Sequence, residues 1–261
     1  MTPDSNGVLQ SLKLSASNIP VPDEYHLANN GDRPTTVLLL PAFQIIDHVT
    51  PARVPDLIRY FINPSVTTTT PLHSLPARTS TSTPQEGLDG TPAAATAADA
   101  PPDDVSSLTP LRTRSSPHAA VILLCSQRTR DARCGQSAPL LKREFERHLR
   151  AHGLYRDAND ERPGGVGVHF ISHVGGHKYA ANVIIYRRRD FHWYAKDGAA
   201  EEQHLAATEE EAEGAAQGIW LARVRPEECE NIVKFTVLQG KLVKPDQLRG
   251  GFDRQRGVTS W

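Results

Sequence analysis

The sequence predicts an α/β protein whose main domain is thioredoxin-like, with a smaller α/β segment and a disordered linker before it. Three observations predict this class. An apolar run ending at Cys125 is followed by an amphipathic helix, three further apolar β-type runs come next, and a second helix closes the order β-α-β-β-β-α. A strand–helix–strand opening, followed by hairpin strands and a final helix, is typical of helices layered on a sheet.

The first two segments differ sharply in composition. Residues 1–64 contain a strand, TTVLLLP, and a helix, PARVPDLIRYFIN, in which apolar residues recur at helical spacing. Residues 65–117 are mainly Thr, Ser, Ala, Pro and Asp with few large apolar side chains. Such a segment cannot bury enough surface to offset the entropy lost on ordering, so we predict a disordered linker there.

Residues 118–251 carry the elements of the main domain, and residues 252–261 form a C-terminal tail. The first predicted helix of the main domain begins after a polar loop at 126–137 and ends at Gly153. A charged insertion at 188–217 interrupts the strands. The predicted elements are the strands AAVILLC, VGVHFIS, NVIIY and GIWLARV and the helices APLLKREFERHLRAHG and PEECENIVKFTVLQGK.

Composition limits the class of protein. The net charge of −1 creates no global field for nucleic acid or an anionic membrane. The chain has no apolar run of about 18 residues and no apolar signal segment near its N-terminus, so we expect a cytoplasmic protein without a membrane partner. Three cysteines are too few for a disulfide scaffold, and in a reducing compartment paired cysteines are typical of metal binding or redox chemistry.

Four side chains make a candidate metal site. Cys125 ends one predicted strand, Cys134 lies in the loop after it, and His173 and His177 flank a Val-Gly-Gly turn after the next strand. The carboxyl ends of neighbouring parallel strands lie side by side, so the four side chains can converge. Two thiolates and two imidazoles suit Zn²⁺ or an iron–sulfur cluster.

The spacing favours the cluster. Structural zinc sites usually contain a tight C-x₂₋₄-C pair, whereas these cysteines are separated by eight residues. We therefore predict a [2Fe–2S] cofactor with one iron held by Cys125 and Cys134 and the other by His173 and His177. Either pair alone could be structural, and a zinc-stabilised interaction module without redox function is the alternative.

Catalytic motifs are absent from the sequence. There is no C-x-x-C, no P-loop and no G-x-G-x-x-G, and the position six residues after Cys125 is Asp131 where a phosphatase loop needs Arg. Whether the chain is an enzyme is uncertain, and a non-enzymatic electron carrier or redox sensor is the preferred interpretation. Cys229 lies on an amphipathic helix and is expected to pack in the core.

Three stretches together resemble the sucrase/ferredoxin-like family of thioredoxin-like ferredoxins. They are CSQRTRDARCGQSAPLLKREF, HVGGHKYAANVIIY and GIWLARVRPEECENIVKFTVLQGKLVKPDQLRGG, within residues 118–251. The resemblance implies a [2Fe–2S] cluster bound by Cys125, Cys134, His173 and His177. It also implies a ferredoxin that acts in electron transfer or cytosolic redox homeostasis with an unidentified redox partner.

The C-terminal residues Thr-Ser-Trp are similar to the tail by which cytosolic iron–sulfur proteins dock onto the targeting complex of the assembly machinery. Trp261 supplies the terminal aromatic residue, while Thr259 stands where an aliphatic residue is usual. A docking tail and a chance match are equally compatible with these three residues. A docking tail would make that complex a partner of the chain.

Overall fold

A computed structural model describes residues 12–27, 33–72, 105–172, 174, 179–189 and 213–256. Within this part the protein is a mixed α/β structure with two sheets and few helices, as the sequence predicts at the level of class. Residues 190–212 of the predicted charged insertion and residues 257–261 of the predicted C-terminal tail lie outside the described residues.

The smaller sheet is built from the N-terminal segment. Strands β1 (Thr35–Leu39), β2 (Gln44–Val49) and β3 (Arg112–Ser115) pair antiparallel in that order. A short helix, α1 (Val54–Leu57), continues as the π-helical turn Ile58–Ile62 and packs its buried side chains against this sheet.

Strand β3 corrects the predicted linker boundary, because its residues lie inside 65–117. Its polar sequence carries no apolar alternation, so no strand was predicted there. Pairing with β2 holds β3 in place, as does an Arg114–Asp47 contact of 3.1 Å. Buried Leu111 joins the core of the smaller sheet. Residues 73–104 of the predicted linker lie outside the described residues.

The larger sheet has five strands in the order β5-β4-β6-β7-β8. Only β4 and β5 are parallel, and the other neighbours are antiparallel. Four of these strands were predicted, whereas the glycine-rich β8 was not. The bounds are β4 Ala120–Cys125, β5 Val166–Ile171, β6 Val183–Arg187, β7 Gln217–Leu221 and β8 Leu248–Asp253.

Two helices cover one face of the larger sheet. Helix α2 (Ala132–Ala151) crosses over between β4 and β5 and buries Leu141, Phe145 and Leu149 against the sheet. Helix α3 comprises a 3₁₀ turn, a short α-helical piece and a π-helical piece, with bounds Pro226–Glu228, Cys229–Asn231 and Ile232–Val237. The predicted helix over this stretch therefore forms, with irregular hydrogen bonding.

The smaller sheet covers the opposite face. Phe43, in the β1–β2 turn, packs against Val121 and Leu123 of β4. Buried Arg254 adds a polar link, because its Nε donates to the Thr70 carbonyl at 2.6 Å and its Nη1 to the Ala215 carbonyl at 2.9 Å. Strand β4 is therefore buried on both faces.

Two buried imidazoles contact each other on the face of the larger sheet that the smaller sheet covers. The rings of His118 and His169 meet edge to face with their centroids 6.0 Å apart. They fit because Gly167 has no side chain, as a Cβ there would lie 2.9 Å from His169 Nε2. Burial lowers the pKa of each imidazole to about 4, and the charge of Arg156 adds to this effect at His118.

These histidines should make the protein sensitive to acid. The unfolded chain binds protons near pH 6.5 and the folded chain only near pH 4, so stability is present above pH 6.5 and is lost as the pH falls toward 4. Urea unfolding at pH 7 and pH 5 should show a loss of roughly 2 kcal/mol per histidine. His118→Gln and His169→Gln should each reduce the stability loss between pH 7 and pH 5 by the contribution of one histidine. His152→Gln, which changes an exposed histidine, should leave that loss unchanged. Equal pH dependence in all three variants would contradict the assignment.

Candidate functional site

The site begins at the end of β4. Cys125 is buried, and its backbone N–H donates to the carbonyl of Asn182 at 3.1 Å, just before β6. The next residue, Ser126, donates from its backbone N–H to the carbonyl of Ile171 at 3.0 Å, where β5 ends. Strand ends on both sides of β4 therefore fix the position of the Cys125 thiol.

Cys134 lies in the first turn of α2, and the predicted loop at 126–137 is wrong in this respect. The helix begins at Ala132 because Asp131 caps it, with the Asp131 carboxylate accepting from the backbone N–H of Arg133 at 3.0 Å. The Arg133 guanidinium also contacts this carboxylate at 2.9 Å. The cap places the Cys134 thiol, fully buried, on the side of α2 that faces β4.

The glycine after Cys134 lets the loop return close to the helix. A Cβ at Gly135 would lie 2.5 Å from Cβ of Arg128 and 2.9 Å from its Cα. This contact involves backbone, so a larger residue would displace either the loop or the first turn of α2. The Cys-Gly pair in the sequence therefore has a structural reason.

The two thiols are in hydrogen-bond contact. Burial raises the pKa of the Cys125 thiol to about 11, and the contact with Cys134 adds to the increase. Backbone N–H groups of Val174 and Gln127 donate to the Cys125 sulfur and act in the opposite direction. Because its pKa is raised, Cys125 is a protonated thiol at neutral pH and therefore a poor nucleophile.

Val174 brings the histidine-containing segment to the cysteines. It lies between His173 and His177 in the sequence, its N–H donates to the Cys125 sulfur, and its side chain packs against the apolar cluster that contains Ile171. His173 and His177 lie outside the described residues. The structure therefore unites the two cysteines and places one residue of the histidine segment beside them, while the predicted ligand role of the histidines stays a prediction.

Asn182 is a residue that the sequence reasoning missed. Its carbonyl holds Cys125, its side-chain amide donates to the Tyr179 carbonyl, and its Oδ1 accepts from Arg249 Nη1 at 2.9 Å. The only available signal was its place after the histidine pair, in KYAANVIIY. Cys229 packs in the core of α3, as predicted, and burial raises the pKa of its thiol to about 12.

The described residues contain neither a candidate metal cluster nor a membrane-spanning helix. No three His, Cys, Asp or Glu side chains come together in the way that metal ligands would in that part of the chain. Among the helices described, none is long and apolar enough to cross a membrane, while the predicted cytoplasmic location stays a prediction.

The sequence profile of the family described as Sucrase/ferredoxin-like matches residues 3–250. Among curated proteins, the chain is 56% identical to "Actin patches distal protein 1" of Saccharomyces cerevisiae over 69 residues, which are 26% of this chain and 22% of that protein. It is 32% identical to "Altered inheritance of mitochondria protein 32" of Clavispora lusitaniae over 127 residues, which are 49% and 33% of the two chains. The matched residues thus span no more than about a third of the length of each of these relatives. No solved structure matches it.

These findings correct the predicted function. The relatives carry names that refer to actin patches and to mitochondrial inheritance, and the described side chains form no metal-binding group. The prediction of an electron-transferring iron–sulfur ferredoxin in redox homeostasis is therefore wrong. The zinc-stabilised alternative gains no support from the same side chains. The predicted ligand roles of Cys125, Cys134, His173 and His177 stay predictions.

The N-cap of α2 can be tested by its effect on stability. Asp131→Ala should lower the free energy of unfolding by about 1 kcal/mol, because an N–H of the first turn of α2 loses its acceptor. Asp131→Asn should keep the cap and lower stability by a few tenths of a kcal/mol. Urea unfolding at neutral pH measures both. Equal losses would show that Asp131 acts through its ion pair with Arg133 instead.

Proposed function

Because the chain belongs to the sucrase/ferredoxin-like family, we propose that its function depends on a cofactor held by the thiolates of Cys125 and Cys134. His173 and His177 are the proposed remaining ligands. One observation carries the proposal: the Cys125 sulfur contacts both the Cys134 thiol and the backbone N–H of Val174, the first residue after His173. Electron transfer forms no part of it.

The surroundings of the thiols suit ligands better than nucleophiles. Cys125 is a buried thiol whose pKa is raised, and it lies beside a second buried thiol, so a cation is needed before both can ionise, and cofactor binding would release their protons. Backbone N–H groups from Val174 and Gln127 then stabilise the charge on Cys125. When bound, the cofactor would neutralise the thiolates and join β4, α2 and the segment after β5.

Two thiolates with two imidazoles form a donor set that accommodates a [2Fe–2S] cluster, which is the proposed cofactor. A thioredoxin-like topology is the proposed finer description of the fold, supported by the crossover from β4 through α2 to the parallel strand β5. A cytoplasmic location, the division into domains and the docking of the Trp261 tail onto the iron–sulfur assembly machinery stay proposals of the same kind.

Metal and sulfide analysis tests the ligand assignment. Protein purified without oxygen should contain about two irons and two acid-labile sulfides per chain. Cys125→Ser and Cys134→Ser should lose most of both, whereas Cys229→Ser changes a buried cysteine away from the site and should keep them. Thermal unfolding of each variant separates loss of the cofactor from loss of the fold.

Two results would contradict this proposal. The first is equal metal content in all three cysteine variants. The second is folded wild-type protein that holds no metal even after anaerobic reconstitution with iron and sulfide. Zinc in place of iron would keep the cysteine assignment and reject the cluster.

A second candidate concerns the cellular process. The 56% identity over 69 residues favours a role shared with the Saccharomyces cerevisiae relative, whose name refers to distal actin patches. On this proposal the chain acts in the spatial arrangement of actin patches, and it would need Cys125 and Cys134 to do so.

Expression in a Saccharomyces cerevisiae strain lacking that relative tests the shared role. The wild-type chain should restore the position of actin patches under the microscope to at least half of the normal score, and Cys229→Ser should do the same. Cys125→Ser should restore little, since the proposed ligand is missing. Equal restoration by both cysteine variants would separate the cellular role from the thiol pair, and no restoration by stable wild-type protein would reject the shared role.

A further inference from the structure

A row of alternating cations and aromatic rings lies on the larger sheet near the end that carries Cys125. Lys13 Nζ lies 4.9 Å from the ring centroid of Trp220, and the Arg249 guanidinium lies 4.3 Å from the same ring. Arg249 is also 4.6 Å from the ring of Tyr179, and the Arg223 guanidinium is 6.0 Å from it. We call these five residues the cation–aromatic row.

A cavity of about 270 Å³ opens at one end of this row. Tyr179, Arg223 and Arg249 line it, together with Asp246. Arg223 lies in the loop after β7 and Arg249 lies in β8. Both guanidiniums contact the ring of Tyr179. Among the described residues that line the cavity, two guanidiniums and one carboxylate carry charge, which gives this lining an excess of positive charge.

The backbone supports this arrangement at a cost. Arg223 has a φ of 56°, in the left-handed region that non-glycine residues rarely adopt, and nearby Ala181 has a φ of 52°. Such conformations are strained for residues that have a side chain, and they tend to cluster at binding sites. The N–H of Arg223 donates to the Ala180 carbonyl at 2.9 Å and its Nη2 to the Asp246 carbonyl at 3.0 Å, which fixes the guanidinium at the cavity.

We propose that this cavity binds a small oxyanion, a phosphate or carboxylate group, between Arg223 and Arg249. Guanidinium groups present paired N–H donors that match the oxygen atoms of both groups. A single-stranded nucleic acid is disfavoured, because Trp220 already contacts two cations and Tyr179 two guanidiniums, so the rings offer little free surface for stacking bases. The proposal does not depend on a cofactor at the thiol pair.

Isothermal titration calorimetry with inorganic phosphate and with acetate, at constant ionic strength set by chloride, tests the site. Wild-type protein should bind at least one of the two, and the stronger one identifies the source of the oxyanion. Arg223→Gln and Arg249→Gln should each weaken binding about tenfold, because one charged hydrogen-bonding partner is lost.

Arg225→Gln is the matched control, since Arg225 is exposed on the same loop and contacts Glu227 rather than the cavity. It should change binding less than twofold. If Arg249→Gln does not fold, exposed Arg223→Gln decides the question alone. Absence of binding to either anion, equal effects of Arg223→Gln and Arg225→Gln, or tighter binding of a short single-stranded oligonucleotide than of both anions would overturn the proposal.

Discussion

The burial of β4 on both faces is the constraint on which the rest of the structure depends. Its Ile122 and Leu124 pack toward α2, whereas Val121 and Leu123 pack toward Phe43 in the smaller sheet. A strand with both faces covered needs hydrogen-bonded neighbours on both edges, and β5 and β6 supply them. Because the strand cannot shift without exposing one set of side chains, its last residue, Cys125, is fixed as well.

This explains which elements could be predicted from sequence. The run AVILLC is uniformly apolar, so its burial was evident, and the spacing of Leu141, Phe145 and Leu149 gave the helix that covers it. The start of α2 was placed too late because its first turn, ARCGQS, carries little apolar periodicity and depends on the Asp131 cap. Strands β3 and β8 were missed because their pairing partners, rather than their own side chains, determine their structure.

The site was predictable only in part, for a similar reason. The sequence indicated that Cys125 and Cys134 would converge, and the structure places their thiols in contact. The roles of Asn182 and Arg249 depend on β6 and β8 both starting at the same edge of the sheet. This follows from the strand order rather than from any local sequence pattern. Residues that support a site from distant segments leave little trace in the sequence around its ligands.

Asn182 links the thiol pair to the cation–aromatic row through two of its own groups. Its carbonyl accepts from the N–H of Cys125, and its Oδ1 accepts from Arg249. Positive charge at Arg249 favours negative charge nearby, so it would stabilise thiolates at the pair. An oxyanion bound between Arg223 and Arg249 would offset that effect, and linkage makes the interaction reciprocal. The two sites should therefore oppose each other whenever both carry negative charge, by an amount that falls as salt increases.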